Sequence, residues 1–264
     1  YTTWWGDKCV ETSVDECNII DAKNGSKSLL FTISDLNTWL GGDEENKIVR
    51  SCYNVTFPEG DKTWVAVRVS QNKVEKSRKY KYVVVDFKSG QLILSQEYPT
   101  EAIALDRSSA SNSLAYVYKQ NLYVIDAKGK TMPVTTDGSN DLVYGQSVHR
   151  DEFGIHKGTY WSPDGNLLAF YRMDQSMVPD YPQVNIDTRI SSTYSCKYPM
   201  AGETSHKVTV GVYNPNTNTV VWLQVGDPTD RYFTNISWSP DSKKIYMIEL
   251  NRDQNHAELV RYDA

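Results

Sequence analysis

Cysteine and histidine are scarce in this chain of 264 residues, which has four of each. Cys9 and Cys17 lie close in sequence, whereas Cys52 and Cys196 are isolated. No C-x-x-C pair occurs, and no histidine stands at metal-ligand spacing from a cysteine. This excludes a zinc module, and we expect neither a metal nor a cofactor. We expect the cysteines to be buried or idle thiols, with a Cys9–Cys17 disulfide as the alternative.

The sequence also lacks a surplus of positive charge and long apolar runs. Its 28 Lys and Arg against 33 Asp and Glu give a formal net charge of −5, and the basic residues are dispersed. This argues against a nucleic-acid groove. Because the apolar runs are only as long as a strand, no transmembrane span is predicted. We expect the chain to be one trimmed part of a longer protein, with any signal peptide outside the residues 1–264.

Aromatic residues are abundant instead, and one short phrase occurs twice. The 18 Tyr and 7 Trp favour strands over helices. Residues 160–165 read Tyr-Trp-Ser-Pro-Asp-Gly and residues 237–242 read Ser-Trp-Ser-Pro-Asp-Ser, each followed by an apolar stretch. Pro presets φ for a turn and Asp can accept from its own backbone, so each phrase predicts a β-hairpin. We expect Trp161 and Trp238 to pack in the core or between neighbouring sheets.

A hairpin repeated at long spacing indicates stacked antiparallel sheets, as in a propeller. The sequence therefore predicts an all-β fold, a β-propeller of four-stranded antiparallel blades, incomplete and with about five blades. Residues 1–45 are the least clear, with one hairpin at Asn24-Gly25 and either a helical turn or a loop at 35–40. The later blades are predicted at 47–100, at 101–137, at 142–226 with an insertion at 173–206, and from 232 onward.

Residues 142–157 interrupt the alternating pattern of the predicted fourth blade. They contain no period of two, and Ser147 is placed to cap a short helix over 148–152 that ends at Gly154. A charged helical turn that interrupts a blade points away from the core, toward the mouth or rim. His149 and His156 lie in this stretch without a nearby nucleophile context, so we expect them to have surface or structural roles.

A group of segments in the second half forms a recognisable set, Val143-Tyr144, 151–155, 158–165, 168–172, 198–202 and 208–210. Together they resemble the propeller of the dipeptidyl peptidase IV family of serine peptidases, with many matches between about residue 140 and residue 264. Residues 170–178 (Phe-Tyr-Arg-Met-Asp-Gln-Ser-Met-Val) are most similar to bacterial prolyl tripeptidyl peptidases and their Bacteroidetes relatives.

The resemblance implies that residues 1–264 are a partial N-terminal propeller domain. In that family an eight-bladed propeller lies over a C-terminal α/β-hydrolase domain with a Ser-Asp-His triad and a Gly-x-Ser-x-Gly elbow. No such elbow occurs in this sequence. We therefore expect no catalytic residue and no hydrolytic activity in this part alone, and a parent protein that is a serine exopeptidase.

The family's propeller also supplies carboxylates that bind the free α-amino group of the peptide. The matching stretch makes Glu152 the first candidate for this amine anchor and Asp151 the second. Arg150 stands where the dipeptidyl pattern has another acid, a departure that fits the tripeptidyl relatives. We expect Arg150 to support an acid through a salt bridge, and Arg78 is a supporting candidate for a substrate carbonyl.

The expected partners are a peptide with a free N-terminus and the hydrolase domain of the parent. The resemblance allows a homodimer of the parent and implies a periplasmic or secreted location after removal of a signal peptide. For Glu152 the alternative is a solvated carboxylate paired with Arg150 or Lys157. For the whole chain the alternative is a stand-alone propeller that binds a protein or a glycan without catalysis.

Overall fold

The structure, a computed structural model, describes residues 1–74 and 77–264, with the side chains of 71–79 outside the described set. Strands account for 47% of the chain and helices for 5%, so the predicted all-β class is confirmed. The strands are joined mainly by short turns, in which glycines such as Gly25, Gly90 and Gly165 adopt positive φ.

Twenty-two strands and one α-helix follow one another along the described residues. In chain order they are β1 Thr2–Trp5, β2 Lys8–Thr12, β3 Glu16–Ile20, β4 Lys27–Thr32, α1 Ile33–Trp39, β5 Val55–Thr56, β6 Trp64–Val74, β7 Ser77–Asp86, β8 Leu92–Tyr98, β9 Ile103–Arg107, β10 Leu114–Tyr118, β11 Asn121–Ile125, β12 Thr131–Pro133, β13 Leu142–Tyr144, β14 Thr159–Trp161, β15 Leu168–Asp174, β16 Asp180–Asn185, β17 Ser192–Lys197, β18 Lys207–Asn214, β19 Thr219–Trp222, β20 Arg231–Trp238, β21 Lys244–Asn251 and β22 Ala257–Asp263.

The strands form successive antiparallel sheets that follow the chain. The first three sheets each have four strands, β1 to β4, β5 to β8 and β9 to β12. The fourth has the order β13-β15-β18-β19, with β14 also paired to β15, and the last has the order β20-β21-β22. The expected insertion at 173–206 contains the separate hairpin β16–β17. Several four-stranded sheets are consistent with a propeller-like domain, and the count of five blades stays a prediction.

The first 45 residues contain more regular structure than their sequence indicated. Four strands are present where one hairpin was expected, and residues 33–39 form a helix rather than a loop. The helix begins with a capping box, because the Thr32 hydroxyl accepts from the Asp35 N–H and the Asp35 carboxylate accepts from the Thr32 N–H. The Thr-x-x-Asp spacing was a readable signal for this helix.

All four cysteines are free, so the alternative of a Cys9–Cys17 disulfide is wrong. In the β2–β3 register Cys9 lies opposite Ile20 and Cys17 lies opposite Thr12. Three residue pairs therefore separate the two thiols along the strands, too far for a disulfide. Cys17 and Cys52 are both buried, and contact with the Cys52 thiol raises the pKa of Cys17.

The chain divides into two compact units, with the strands of the third sheet shared between them. The first unit contains residues 1–102, 107–114 and 125–131, and the second contains residues 103–106, 115–124 and 132–264. The core of the first is built on an aromatic cluster whose ring centroids lie 5.2–6.4 Å apart. These rings belong to Trp5, Phe31, Phe57 and Phe87.

Strand β15 organises the second unit because both of its faces are buried. Leu168 and Phe170 pack in one apolar cluster, whereas Ala169 and Tyr171 pack in another on the opposite face. The alternation follows from the two-residue period of a strand. Tyr171 is fully buried, and its hydroxyl donates to the Phe233 carbonyl oxygen over 2.8 Å. This bond ties the fourth sheet to the last one.

The tryptophans of the repeated phrase join consecutive sheets, as expected. The Trp161 indole N–H donates to the Asp106 carbonyl over 3.1 Å, and the Trp238 indole N–H donates to the Tyr160 carbonyl over 2.9 Å. Each indole therefore fastens its own hairpin to a strand of the preceding sheet. In both turns the serine hydroxyl donates to the aspartate two residues on, over 2.6 Å.

Candidate functional site

The candidate site is the loop of residues 145–158, which separates two short strands on the same edge of the fourth sheet. Strands β13 and β14 both pair with β15, and Tyr171 closes the loop between them. The Gly145 N–H donates to the Tyr171 carbonyl over 2.9 Å, and the Tyr171 N–H donates to the Gly158 carbonyl over 3.0 Å. The loop is therefore an excursion from an edge strand whose two ends are held together.

The loop carries a left-handed turn. His149, Arg150 and Asp151 have φ of 54°, 57° and 61°, and Phe153 and Gly154 are also at positive φ. The Asp151 N–H donates to the Val148 carbonyl over 3.1 Å, and the Glu152 N–H donates to the His149 carbonyl over 3.2 Å. For L-residues this conformation costs about 1–2 kcal/mol per residue. Such strain persists where surrounding contacts impose it, and it is frequent at functional sites.

The turn differs from the capped right-handed helix that the sequence predicted. No side chain caps it, and the Ser147 hydroxyl donates across the loop to the Ile155 carbonyl over 3.2 Å. Val148 and Ile155 are buried in the core cluster of the second unit. Their burial fixes both ends of the turn, which overrides the local preference for right-handed helix.

His149 lies beneath the turn and is 2% exposed. Its Nε2 accepts from the Phe233 backbone N–H over 3.1 Å, and its Nδ1 lies 2.8 Å from Nε2 of His206. Because Nε2 accepts, Nδ1 carries the proton and donates to His206. Burial, with a contribution from His206, lowers the pKa of His149 to about 3. Of the surface and structural roles expected for His149, its burial and its two hydrogen bonds correspond to the structural one.

His206 is 6% exposed and is the acceptor of this pair. Burial, together with the Arg150 and Arg252 guanidinium groups, lowers the pKa of His206 to about 4. Both imidazoles are therefore neutral at pH 7 and present no competing positive charge to a cationic ligand at the turn.

The two candidate carboxylates lie on the outer side of the turn. Asp151 and Glu152 are both exposed. Within the part of the chain that the structure describes, neither carboxylate accepts a hydrogen bond or enters an ion pair. The turn thus brings together two adjacent acids whose acceptor capacity is unused.

The basic residues that could have paired with these acids are engaged elsewhere. The Arg150 guanidinium lies 5.2 Å from the centre of the Tyr198 ring and donates to the Lys197 carbonyl over 3.4 Å. The Lys157 ammonium pairs with Asp106 over 3.1 Å. Arg150 therefore does not form the expected salt bridge to an acid, because its guanidinium group is held by the Tyr198 ring and the Lys197 carbonyl instead.

Aromatic rings border the turn beside Glu152. The Phe153 and Tyr232 ring centroids lie 5.0 Å apart, and Tyr232 contacts the His149 ring edge-on at 5.0 Å. Burial raises the pKa of Tyr232, and the Glu152 carboxylate adds to this rise. Negative charge next to aromatic faces suits an ammonium group, because both attract a cation.

Arg78 belongs to the side chains outside the described set, so its role stays a prediction. Among the described residues, no group of three His, Cys, Asp or Glu side chains is arranged to hold a metal ion. No helix in the described ranges is long and apolar enough to cross a membrane.

Replacing Gly158 by alanine should destabilise the loop and the sheet edge that carries it. A Cβ at this position would lie 2.1 Å from the Gln146 carbonyl oxygen, so the backbone must shift. We expect a loss of about 1–3 kcal/mol in the free energy of unfolding, measured by chemical denaturation. Gly154→Ala is the control, because no atom lies near the Cβ position of Gly154. This variant should lose only about 1 kcal/mol, from placing alanine at a φ of 73°. A Gly158→Ala variant as stable as wild type would contradict this close approach.

Comparison with known proteins identifies the family of this chain. The profile described as "Dipeptidyl peptidase IV (DPP IV) N-terminal region" matches residues 58–264. The chain belongs to this family. A crystal structure from Bacteroides ovatus, assigned there as a dipeptidyl aminopeptidase IV, is 44% identical with a TM-score of 0.84 and covers the whole chain. The dipeptidyl peptidase 4 of Porphyromonas gingivalis, 20% identical with a TM-score of 0.75 over 99% of the chain, shares the fold.

Curated relatives in this family are fungal proteins named dipeptidyl-aminopeptidase B. The protein of Pyrenophora teres is 27% identical over 248 residues, which is 84% of this chain and 27% of the relative. That of Pyrenophora tritici-repentis is 29% identical over 177 residues, 60% of this chain and 20% of the relative. The chain thus spans about a fifth to a quarter of these relatives, and 35% and 38% of the two solved chains.

Sequence reasoning missed three members of the site, His206, Tyr232 and Phe233. They follow the turn by more than 50 residues. His206 directly precedes β18 of the fourth sheet, whereas Tyr232 and Phe233 lie on β20 of the last sheet, so only long-range contacts bring them to the turn. No local pattern marks them.

Proposed function

We propose that this dipeptidyl peptidase IV N-terminal region is the substrate-anchoring domain of a prolyl-specific serine exopeptidase. The observation that carries the proposal is the strained turn 149–151, which presents two unpaired carboxylates beside aromatic rings. Glu152 is the first anchor for the α-ammonium group of a peptide and Asp151 the second. The similarity to dipeptidyl peptidases supports this role.

The chemistry of the anchor is that of a charge-assisted hydrogen bond. A protonated α-amine has three N–H donors, and a carboxylate without another partner accepts from it strongly once water is excluded. If the protein continues into a hydrolase domain, as the family resemblance implies, the distance from Glu152 to the serine fixes how many residues are removed. The serine nucleophile and its partners would be supplied by that domain.

Arg150 limits the negative charge at the anchor. Its guanidinium group lies against Tyr198 and next to the two acids in sequence, where the dipeptidyl pattern has another acid. Glu152 then shares the amine either with Asp151 or, as the resemblance to tripeptidyl peptidases implies, with a glutamate of the hydrolase domain. Which of the two acts decides between dipeptide and tripeptide release.

The test is a substrate panel with the full-length protein. We expect hydrolysis of free-amine Xaa-Pro or Xaa-Xaa-Pro anilides, blocked by a serine-reactive phosphonate, and a kcat/KM at least about 30-fold lower for the same peptides with an acetylated amine. Equal rates for free and acetylated peptides would contradict the anchor. The length of the preferred free peptide separates dipeptidyl from tripeptidyl release.

A second candidate is a binding domain without catalysis, and one surface favours it. The hairpin β16–β17 and the loop between its strands expose apolar side chains, with Ile186 82% and Ile190 86% exposed. An exposed apolar hairpin suits a protein partner better than a glycan. In this case the full-length protein would cleave none of the panel peptides.

A further inference from the structure

His149 and His206 link the candidate anchor to the core of the second unit. His149 is the first residue of the left-handed turn, and its side chain points into the protein, where it is 2% exposed. Glu152 follows three residues later on the outer side. Because the backbone between them is strained, the position of the Glu152 carboxylate depends on the contacts that hold His149 in place.

The partner of His149 on one side is the edge strand of the last sheet. Phe233 lies on β20, which has no strand on its other side within the described residues. Its two outward backbone groups are both satisfied by side chains, the N–H by His149 and the carbonyl by Tyr171. Losing His149 would leave a buried N–H without an acceptor.

The partner on the other side is His206, which lies on the segment just before β18. Its Nε2 accepts from His149 Nδ1–H over 2.8 Å, and the two rings are 5.0 Å apart. The Phe233 N–H therefore donates to His149 Nε2, and His149 Nδ1–H donates to His206. Only the tautomer of His149 with its proton on Nδ1 makes both hydrogen bonds.

We propose that His149 and His206 are positioning residues that hold the strained turn, and with it Glu152, in the geometry that receives the substrate amine. This inference rests on the proposed function of Glu152. It adds that the neutral imidazole pair, not the turn sequence alone, sets the specificity for a free amino terminus.

Two substitutions of His206 test the proposal in the full-length protein. A glutamine side chain can place its oxygen where the imidazole Nε2 accepts, so His206→Gln should keep the bond, whereas His206→Leu removes it. The readout is the ratio of kcat/KM for a free-amine peptide to that for its acetylated form. We expect His206→Leu to lower this ratio about tenfold and His206→Gln to leave it within about twofold. The exposed His256 provides the matched control, since His256→Leu should leave the ratio unchanged.

A double-mutant cycle separates this proposal from the proposed function. If Glu152→Gln alone leaves the ratio unchanged, the amine anchor itself fails. If Glu152→Gln lowers it and His206→Leu does not, only the positioning role fails. We expect His206→Leu to cause no further loss of the ratio in the Glu152→Gln background, and full additivity would overturn the proposal.

The tautomer of His149 provides a measurement that needs no variant. Nitrogen-15 spectra of histidine-labelled wild-type protein at pH 7 should show His149 with its proton on Nδ1 and an unprotonated Nε2. A proton on Nε2 would overturn the proposal even if His206→Leu does not fold.

Discussion

Replacing Glu152 by glutamine should lower kcat/KM of the full-length protein on free-amine prolyl peptides about 30- to 1000-fold. Glutamine has the same length and keeps one acceptor oxygen, but it loses the charge that binds the α-ammonium group. Loss of a charge-assisted bond in a desolvated site costs about 2–4 kcal/mol. The measurement is steady-state kinetics on the same peptide with a free and with an acetylated amine.

The acetylated peptide should show little change, because it has no ammonium group for Glu152 to bind. Asp151→Asn should have a smaller effect, and Arg150→Ala should act only through the position of Glu152. Glu258→Gln, which changes an exposed glutamate paired with His256, is the matched control. Identical kinetics of wild type and Glu152→Gln on the free-amine peptide would make Glu152 a solvated surface acid.

Acidification from pH 6.5 to 4.5 should destabilise the second unit steeply. The folded-state pKa values of His149 and His206, about 3 and about 4, lie below the unfolded value of 6.5. Between these values the unfolded chain binds protons that the folded chain does not, so stability is present above pH 6.5 and is lost as the pH falls. Each group contributes a slope of about 1.4 kcal/mol per pH unit.

The groups around the histidine pair support this direction of the pH dependence. The positive charges of Arg150 and Arg252 lower the pKa of His206, and His149 is contacted by the uncharged rings of Tyr232 and Phe153. Asp164 and Asp174 have lowered pKa values, so they add a loss of stability only near and below pH 4. The free energy of unfolding should be measured by denaturant titration at several pH values. His206→Gln should reduce the slope of the unfolding free energy against pH by the equivalent of about one proton, and the control His256→Gln should leave it unchanged. Equal slopes for His206→Gln and wild type would contradict burial of a neutral His206.

The elements that the sequence predicted well are those whose signals are local. The turns after Trp161 and Trp238 follow from Ser-Pro-Asp, whose serine and aspartate hydrogen-bond within the turn itself. The alternation in β6 and the spans of the sheets from residue 47 onward follow from the two-residue period of strands. The hairpin β3–β4 was predicted from Asn24-Gly25, whereas β1 and β2 were missed because β1 buries only Trp5 and shows no alternation.

The candidate anchor was predicted only in part. Glu152 and Asp151 were identified through the family resemblance of the residues around them, and the structure places both on an exposed turn. The hand of that turn could not be read from the sequence, because His, Arg and Asp prefer the right-handed conformation when nothing opposes it. The expected cap at Ser147 follows the same local preference and is absent for the same reason.

The sequence by itself determined the all-β class, the order of the sheets and the membership in the dipeptidyl peptidase IV N-terminal region family, since each depends on short-range patterns. Only the tertiary structure decided how the turn that carries the candidate anchor is held. The acceptor and donor that fix His149 are His206 and Phe233, which are remote in sequence. Strand pairing in the fourth sheet brings His206 close, and packing of the last sheet brings Phe233 close. A strained conformation is stable only when such long-range contacts outweigh its local cost, and that balance is a property of the folded protein.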